Sequence, residues 1–421
     1  MEAPIFIGEL ELTEPIADIA LPTRPDGAAY NGTWLLVRMQ HFPVGYVFLP
    51  VDALDAASIA RHVWLELAPE INSRRARFGL PGLDSLSAEG IQAEEKLVDE
   101  VTDCPLITVV VCTRNRPESV MLTLRGLADM HYRPFEIVVV DNAPSSDATK
   151  EAVLAEFGDD PRFRYVREPR PGLSCARNRG IAEAAADIVA FTDDDVRVDP
   201  WWLNGIARGF RAAGDVACVT GLIATAQIEN AAQLYFHLRE DLGFSCKPRI
   251  FDLGEYRDDS RLYPYAAGIF GAGANFALSR TALKDIGSFD EALGAGTPSG
   301  GGEDINMFTR VVLSGHRLVY EPSAVVSHVH RAGLAELAKQ MKAYGSGCTA
   351  ALTAIVLTDS RARRELPTKA ILGAMHMFNG TSKVRDNQTL PAGLLKRETG
   401  GLLVGPWTYL KGRRKLRQLA G

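Results

Sequence analysis

The sequence predicts an α/β fold with a mostly parallel sheet flanked by helices. Short apolar runs rich in β-branched residues alternate with amphipathic helical stretches along the middle of the chain, a pattern typical of parallel sheets. These runs are almost continuously apolar, as strands buried on both faces are. A chain of 421 residues, of which 46% are hydrophobic, is long enough to bury such a core.

The predicted elements divide the chain into three parts. Residues 1–100 carry two strand-like runs, 34–39 and 44–49, followed by a helical pattern, and we expect a small α+β unit there. Residues 101–335 hold the alternating pattern, and residues 336–421 are expected to be helical. In the middle part, strands are predicted at 107–112, 135–140, 162–166 and 187–192, and helices at 118–130, 147–157 and 173–186.

Composition excludes several classes of protein. A formal net charge of −6 does not provide the basic field that nucleic-acid binding requires. Six scattered cysteines with no Cys-x-x-Cys pair are typical of reduced thiols in the cytoplasm. No signal-peptide pattern and no bilayer-length apolar run is present, so we expect a cytoplasmic protein that does not span a membrane.

Polar clusters follow three of the predicted strands. In parallel sheets, ligands bind outside the carboxyl ends of the strands, so we expect these clusters to face one crevice. The residues concerned are Thr113, Arg114, Asn115, Arg116, Asp141, Asn142, Asp193, Asp194 and Asp195.

The three consecutive aspartates at 193–195 are the sharpest of these clusters. Adjacent carboxylates repel each other unless a cation or hydrogen-bond donors balance them. Oxygen ligands suit Mg²⁺ or Mn²⁺ together with substrate phosphates. A solvated acidic turn is an equally good interpretation of the triplet alone.

Further candidates lie later in the chain, each with a structural alternative. Glu303 and Asp304 follow a glycine-rich stretch and begin a helical pattern, where carboxylates also serve as caps. His328 and His330 share one face of a predicted strand, and either bind a metal or are ordinary hydrogen-bonded histidines. The small residues 271–275 allow a ligand to approach the backbone closely, or form a tight turn.

In combination, these motifs resemble the family 2 glycosyltransferases, which have the GT-A fold. The resemblance runs from about 107 to 331, over half of the chain, and the landmarks come in the family's order. They are the segments 109–116, 138–147, 172–180, 191–195, 271–277, 301–304 and 327–331. Asn142 departs from the pattern, since many members carry an acidic residue there.

The resemblance implies an inverting transfer of a sugar from a nucleotide-diphosphate donor to a hydroxyl acceptor. Asp304 is implied as the general base, with Glu303, Gly273 and Asn275 beside the acceptor or the sugar. Asp193 and Asp195 are implied as ligands of Mn²⁺ or Mg²⁺, with His330 or His328 as a further ligand. Donor-binding residues are implied at Thr113, Arg114, Asn115, Arg116, Asp141, Asn142, Arg177, Asp193 and Asp194.

Two other functions are compatible with parts of this pattern. A sugar nucleotidyltransferase uses a similar crevice and metal but releases pyrophosphate. A non-catalytic nucleotide-sugar binding module needs the donor-side aspartates but not the pair at 303–304, whose presence argues against it.

The C-terminal tail differs in charge from the rest of the chain. From 395 to 421 there are seven Lys or Arg and one Glu, mixed with large apolar residues. This pattern predicts either peripheral contact with an anionic membrane surface or a helix packed on the domain with its lysines solvated.

Overall fold

A computed structural model of the protein describes residues 1–91, 104–240, 246–330, 333–378 and 394–420. The strands are β1 Phe6–Glu11, β2 Thr33–Met39, β3 Phe42–Leu49, β4 Ile107–Thr113, β5 Phe135–Asn142, β6 Phe163–Glu168, β7 Ile188–Asp193, β8 Val196–Val198, β9 Val216–Thr225, β10 Arg249–Phe251, β11 Asn275–Ser279 and β12 Arg317–His328. The helices are α1 Ala56–Arg77, α2 Pro117–Ala128, α3 Ala148–Phe157, α4 Leu173–Glu183, α5 Trp202–Arg211, α6 Ala231–Glu240, α7 Leu283–Ile286, α8 Glu303–Leu313, α9 Leu334–Thr358, α10 Ser360–Phe378 and α11 Leu394–Ala420.

The chain forms two compact units. The first comprises Met1–Asp103, Ala224–Pro248 and Ser327–Ala332, and the second comprises Cys104–Ile223, Arg249–Val326 and Gly333–Gly421. The first unit therefore includes two later segments as well as the N-terminal part. The predicted division at residues 100 and 335 stays a prediction.

The first unit is built on a small sheet covered by a helix. β2 pairs in parallel with β1 and antiparallel with β3, and α1 lies on this sheet over a cluster of buried aliphatic residues. Helix α1 begins at Ala56 because Asp55 caps it, accepting a hydrogen bond from the Ser58 backbone amide at 2.9 Å. β1 was not predicted from the sequence.

The second unit contains most of the large sheet, and the predicted α/β class is confirmed. Among the described residues the sheet has nine strands, in the order β10-β12-β9-β11-β7-β4-β5-β6, with β8 beside β12. β6, β5, β4 and β7 are parallel. The cores of β4 and β5 are fully buried runs of Val and Ile, and β7 is buried from 188 to 192, whereas β6 buries only Val166 and Glu168. β11 runs antiparallel between β7 and β9, an arrangement that the sequence did not predict.

The predicted helical C-terminal region is confirmed. Helix α9 contacts α8, α10 and, most extensively, α11. Ala350, Ala351 and Ala354 of α9 form a buried cluster with Tyr409 of α11. No helix in the described ranges has the length and apolar character needed to cross a bilayer.

Candidate active site

Four adjacent strands bring several of the predicted site residues to one edge of the sheet. Thr113 at the end of β4 lies opposite Asp141 on β5, and Cys112 lies opposite Asp193 on β7. On the other side of β7, Thr192 is paired with Asn275, the first residue of β11. The polar clusters therefore form a continuous row, because the parallel strands end at the same level.

Asp194, the middle residue of the aspartate triplet, is buried and held by the loop that follows β4. Its two carboxylate oxygens accept hydrogen bonds from the Thr113 hydroxyl at 2.7 Å and from the Arg116 guanidinium at 2.6 Å. Ser119 donates to the Asp194 backbone carbonyl at 2.8 Å. Burial raises the pKa of Asp194, although the hydrogen bond from Thr113 and the charge of Arg116 act against the shift. Asp194 thus joins the ends of β7 and β4.

The flanking residues Asp193 and Asp195 are only half-buried. One carboxylate oxygen of Asp193 lies within 4.8 Å of one from Asp195. Arg116 reaches Asp195 at 3.1 Å, so this cation contacts two of the three aspartates. Two half-exposed carboxylates at this separation fit the oxygen ligands that Mg²⁺ or Mn²⁺ takes beside substrate phosphates.

Asp141 is the buried carboxylate at the end of β5. Its Oδ2 accepts a hydrogen bond from the Tyr165 hydroxyl at 2.9 Å. Its Oδ1 is buried and has no hydrogen-bond partner among the residues that the structure describes. Burial raises the pKa of Asp141, and the hydrogen bond from Tyr165 lowers it. The second oxygen is therefore an acceptor that a ligand could satisfy.

The two asparagines predicted to bind the donor form hydrogen bonds between neighbouring loops. The Asn115 side-chain oxygen accepts from the backbone amide and the hydroxyl of Ser145, both at 2.9 Å. Asn142 donates to the Arg170 carbonyl at 2.8 Å and accepts from the Gly172 amide at 2.9 Å. Arg114, the residue before Asn115, is exposed.

The carboxylates of Glu303 and Asp304 lie in the first turn of helix α8. Asp304 is half-exposed, and its Oδ2 accepts from the Gly273 backbone amide at 2.9 Å. Gly302 caps the helix with a φ of 89°, and a Cβ there would collide with the backbone of Gly347 on α9. The glycine-rich approach to the pair is therefore partly a packing contact.

Glu303 lies on the buried side of the same turn and is paired with Arg177. The Arg177 guanidinium donates to Glu303 Oε1 at 3.0 Å and to the Gly273 carbonyl at 2.8 Å. Burial raises the pKa of Glu303, the charges of Asp304 and Asp193 raise it further, and Arg177 offsets part of the shift. Arg177 thus connects α4, α8 and the loop before β11.

The sequence did not predict this network. The resemblance implied that Arg177 binds the nucleotide or the diphosphate of the donor, and that role stays a prediction. In the structure its guanidinium lies 5.2 Å and 5.5 Å from the ring centres of Phe276 and Phe289. The burial of Arg177 could have been predicted from the sequence, because Ser174, Arg177 and Gly180 are spaced three residues apart. Such spacing puts small residues on the face of α4 that packs on the sheet, with Arg177 between them.

Asn275 is fully buried, and all of its side-chain hydrogen-bonding groups have partners in the second unit. It donates to the carbonyls of Leu222 and Ala324 at 2.8 and 2.7 Å and accepts from the Trp202 indole at 2.8 Å. These bonds join β9, β11 and β12. Its direct contact with an acceptor stays a prediction.

The two histidines belong to the first unit. His330 is buried, and its Nε2 lies 3.2 Å from the Thr225 hydroxyl, while its ring centre is 5.4 Å from that of His328. Gln233 donates to the His330 carbonyl at 2.9 Å. Their role as metal ligands stays a prediction, and residue 331 lies outside the described residues.

The chain is similar in sequence to a family of glycosyl transferases and to two bacterial proteins. The family model described as "Glycosyl transferase family 2" matches residues 108–287. The succinoglycan biosynthesis protein ExoM of Rhizobium meliloti is 31% identical over 289 residues, which cover 66% of this chain and 84% of ExoM. The pre-mycofactocin glycosyltransferase of Mycobacterium tuberculosis is 26% identical over 278 residues, covering 65% of this chain and 53% of that protein.

The chain thus spans about half the length of the mycobacterial relative. Among solved structures, the chain is similar to the mannosyltransferase PcManGT from Pyrobaculum calidifontis, solved in complex with GDP-Man and Mn²⁺. The TM-score is 0.44, the sequence identity is 20%, and the match covers 72% of this chain and 87% of that one.

Proposed function

We propose that this chain, a member of glycosyl transferase family 2, transfers a sugar from a nucleotide-diphosphate donor to a hydroxyl acceptor. The transfer would invert the configuration of the anomeric carbon. One observation carries the proposal. The half-exposed carboxylates Asp193, Asp195 and Asp304 lie along one edge of the sheet, each beside a buried, hydrogen-bonded carboxylate that holds its loop in place.

The donor would lie between β4 and β7. Asp193 and Asp195 would hold Mg²⁺ or Mn²⁺, with His328 or His330 as a further ligand. The metal would supply Lewis acidity toward the departing nucleoside diphosphate. The exposed Arg114 and the partly exposed Arg116 would approach the diphosphate, since guanidinium groups bind phosphate oxygens through paired hydrogen bonds.

The nucleoside would lie toward β5. The unsatisfied Oδ1 of Asp141 would accept a hydrogen bond from an N–H group of the base. Thr113 and Asn115, which join the neighbouring loops, would shape this part of the site.

Asp304 would be the general base. Its carboxylate would take the proton of the acceptor hydroxyl while that oxygen forms a bond to the anomeric carbon and the bond to the donor phosphate oxygen breaks. Attack opposite the leaving group inverts the anomeric centre. Glu303 would act through Arg177, which holds the Gly273 carbonyl while the Gly273 amide holds Asp304. This arrangement would position the base.

The proposal is tested by screening nucleotide sugars with the purified protein in the presence of Mn²⁺. A cognate donor should raise the thermal midpoint, because ligands of the native state stabilise it. Transfer or slow hydrolysis should release the nucleoside diphosphate, and EDTA should abolish both, with rescue by Mn²⁺ or Mg²⁺. Release of pyrophosphate would instead indicate a nucleotidyltransferase, and full activity after EDTA treatment would overturn the metal dependence.

A further inference from the structure

Helix α11 is attached to the second unit through small residues and one tyrosine. Gly401, Gly405, Tyr409 and Gly412 recur at four- and three-residue spacing and are buried. Gly405 approaches Thr349 of α9 so closely that a Cβ would overlap its hydroxyl. Tyr409 donates a hydrogen bond from its hydroxyl to Asp290 at 2.7 Å.

The opposite face of α11 exposes large apolar side chains. Leu403 is 80% exposed, Trp407 73% and Leu410 49%, and Val404 beside them is also exposed. Residues at 403, 407 and 410 lie on one side of a helix, one above the other. Since the buried face already anchors the helix, these side chains contribute little to the core of the unit.

Cations border this apolar strip at both ends. Lys396 and Arg397 lie one to two turns before Leu403, and Lys411, Arg414 and Lys415 follow Leu410, all of them exposed. The helix carries seven cations and one anion in a chain whose formal net charge is −6. Positive charge is therefore concentrated around the one apolar face of α11 that has no covering element in the described part of the second unit.

We propose that this face of α11 is a docking surface for a membrane that contains anionic lipids. The apolar side chains would enter the boundary between headgroups and acyl chains, with the helix parallel to the surface. The flanking cations would meet lipid phosphates. A second copy of the chain fits less well, because a symmetric contact would bring the same cations together.

The docking surface is independent of sugar transfer, so its test needs no substrate. Full-length protein is sedimented with vesicles of equal parts phosphatidylcholine and phosphatidylglycerol, and with vesicles of phosphatidylcholine alone. We expect binding to the anionic vesicles only, weakening as salt screens the cations. Replacing Leu403 and Trp407 together by serine should abolish binding without lowering the thermal midpoint, since both side chains are exposed.

Neutralising two cations, Lys411→Gln with Arg414→Gln, should lower the partition coefficient about 30-fold. The matched control replaces the exposed Leu122 and Leu154 of α2 and α3 by serine and should bind as the wild type does. The proposal is wrong if wild-type protein does not bind anionic vesicles, or if the Leu403/Trp407 variant binds equally well. It is also wrong if velocity sedimentation shows a dimer that this variant loses while vesicles are not bound.

Discussion

The triplet at 193–195 and the pair at 303–304 each combine one buried carboxylate with half-exposed neighbours. In both clusters an arginine contacts the buried carboxylate, Arg116 for Asp194 and Arg177 for Glu303. The surroundings of the two arginines differ, because the Arg116 side chain is 41% exposed and that of Arg177 only 3%. If Arg116 is removed, water can solvate the Asp194 carboxylate from the exposed side. If Arg177 is removed, Glu303 is left without a partner in a site that solvent does not reach.

Because of this difference, we expect the two arginines to contribute unequally to the free energy of unfolding. A buried ion pair that loses one partner leaves an uncompensated charge, which costs far more than the loss of a solvated pair. The half-exposed carboxylates keep contact with solvent, and they are the groups that we propose bind the metal or act as the base. Substitutions at equivalent places in the two clusters should therefore have unequal effects.

The largest effect is expected for Asp304→Asn. Turnover should fall by about 10²- to 10⁴-fold, because the side chain keeps its position but no longer accepts a proton. The KM for the donor should change little, since the residues that we propose bind the donor are unchanged. Steady-state kinetics check this, with Asp285→Asn, an exposed aspartate of α7, as the control. Near-normal turnover would exclude Asp304 as the base.

The second largest effect is expected for Asp193→Asn and Asp195→Asn, which should bind the metal more weakly. Each should raise the Mn²⁺ concentration required for activity by at least about 10- to 100-fold, since altering even an outer partner of a ligand has that effect. Asp194→Asn is the matched variant, because its carboxylate is already bonded to Thr113 and Arg116. A Mn²⁺ titration in which all three variants behave alike would contradict the assignment of ligands.

Arg177→Met should lower the free energy of unfolding by about 3 to 5 kcal/mol, because Glu303 is left buried without its cation. Replacing both residues, as Arg177→Met with Glu303→Leu, should recover much of this loss. Urea denaturation of the single and double variants measures both values. A double variant no more stable than Arg177→Met would show that the ion pair is not the origin of the loss.

The loss in Arg177→Met should grow as the pH rises. Burial holds the pKa of Glu303 above its ordinary value, so between the two values the unfolded chain is ionised while the native state keeps a proton. Stability therefore falls with rising pH until the native-state pKa is reached. Without Arg177 that pKa is higher still, so the variant continues to lose stability where the wild type no longer does. A loss that shrinks with rising pH would contradict this sign.

Arg116→Met should have the smallest effect on stability, about 1 kcal/mol or less, because its guanidinium is partly solvated. Asp194 keeps its hydrogen bond from Thr113 in this variant. Urea denaturation beside Arg177→Met gives the direct comparison. Equal losses in the two variants would show that exposure of the arginine does not distinguish the clusters.

Much of the parallel sheet and of the site could be predicted from the sequence. Strands such as β4 and β7 are short buried runs whose apolar character is visible residue by residue, and the polar clusters follow where those runs end. The structure extends the strands slightly, so that Thr113, Asp141 and Asp193 lie within them. The antiparallel β11 and the addition of 224–248 and 327–332 to the first unit were not predicted, because pairings between distant segments leave no local pattern.

The sequence by itself determined the family, the succession of strands and helices in the parallel part of the sheet, and which carboxylates are candidates for the site. These follow from strand patterns and motif spacing, which are local properties of the chain. Only the tertiary structure decided which carboxylate of each cluster is buried, that Arg177 pairs with Glu303, and which face of α11 is left exposed. Each of these depends on how a turn or helix is rotated about its axis. That rotation is set by contacts with residues far away in the chain.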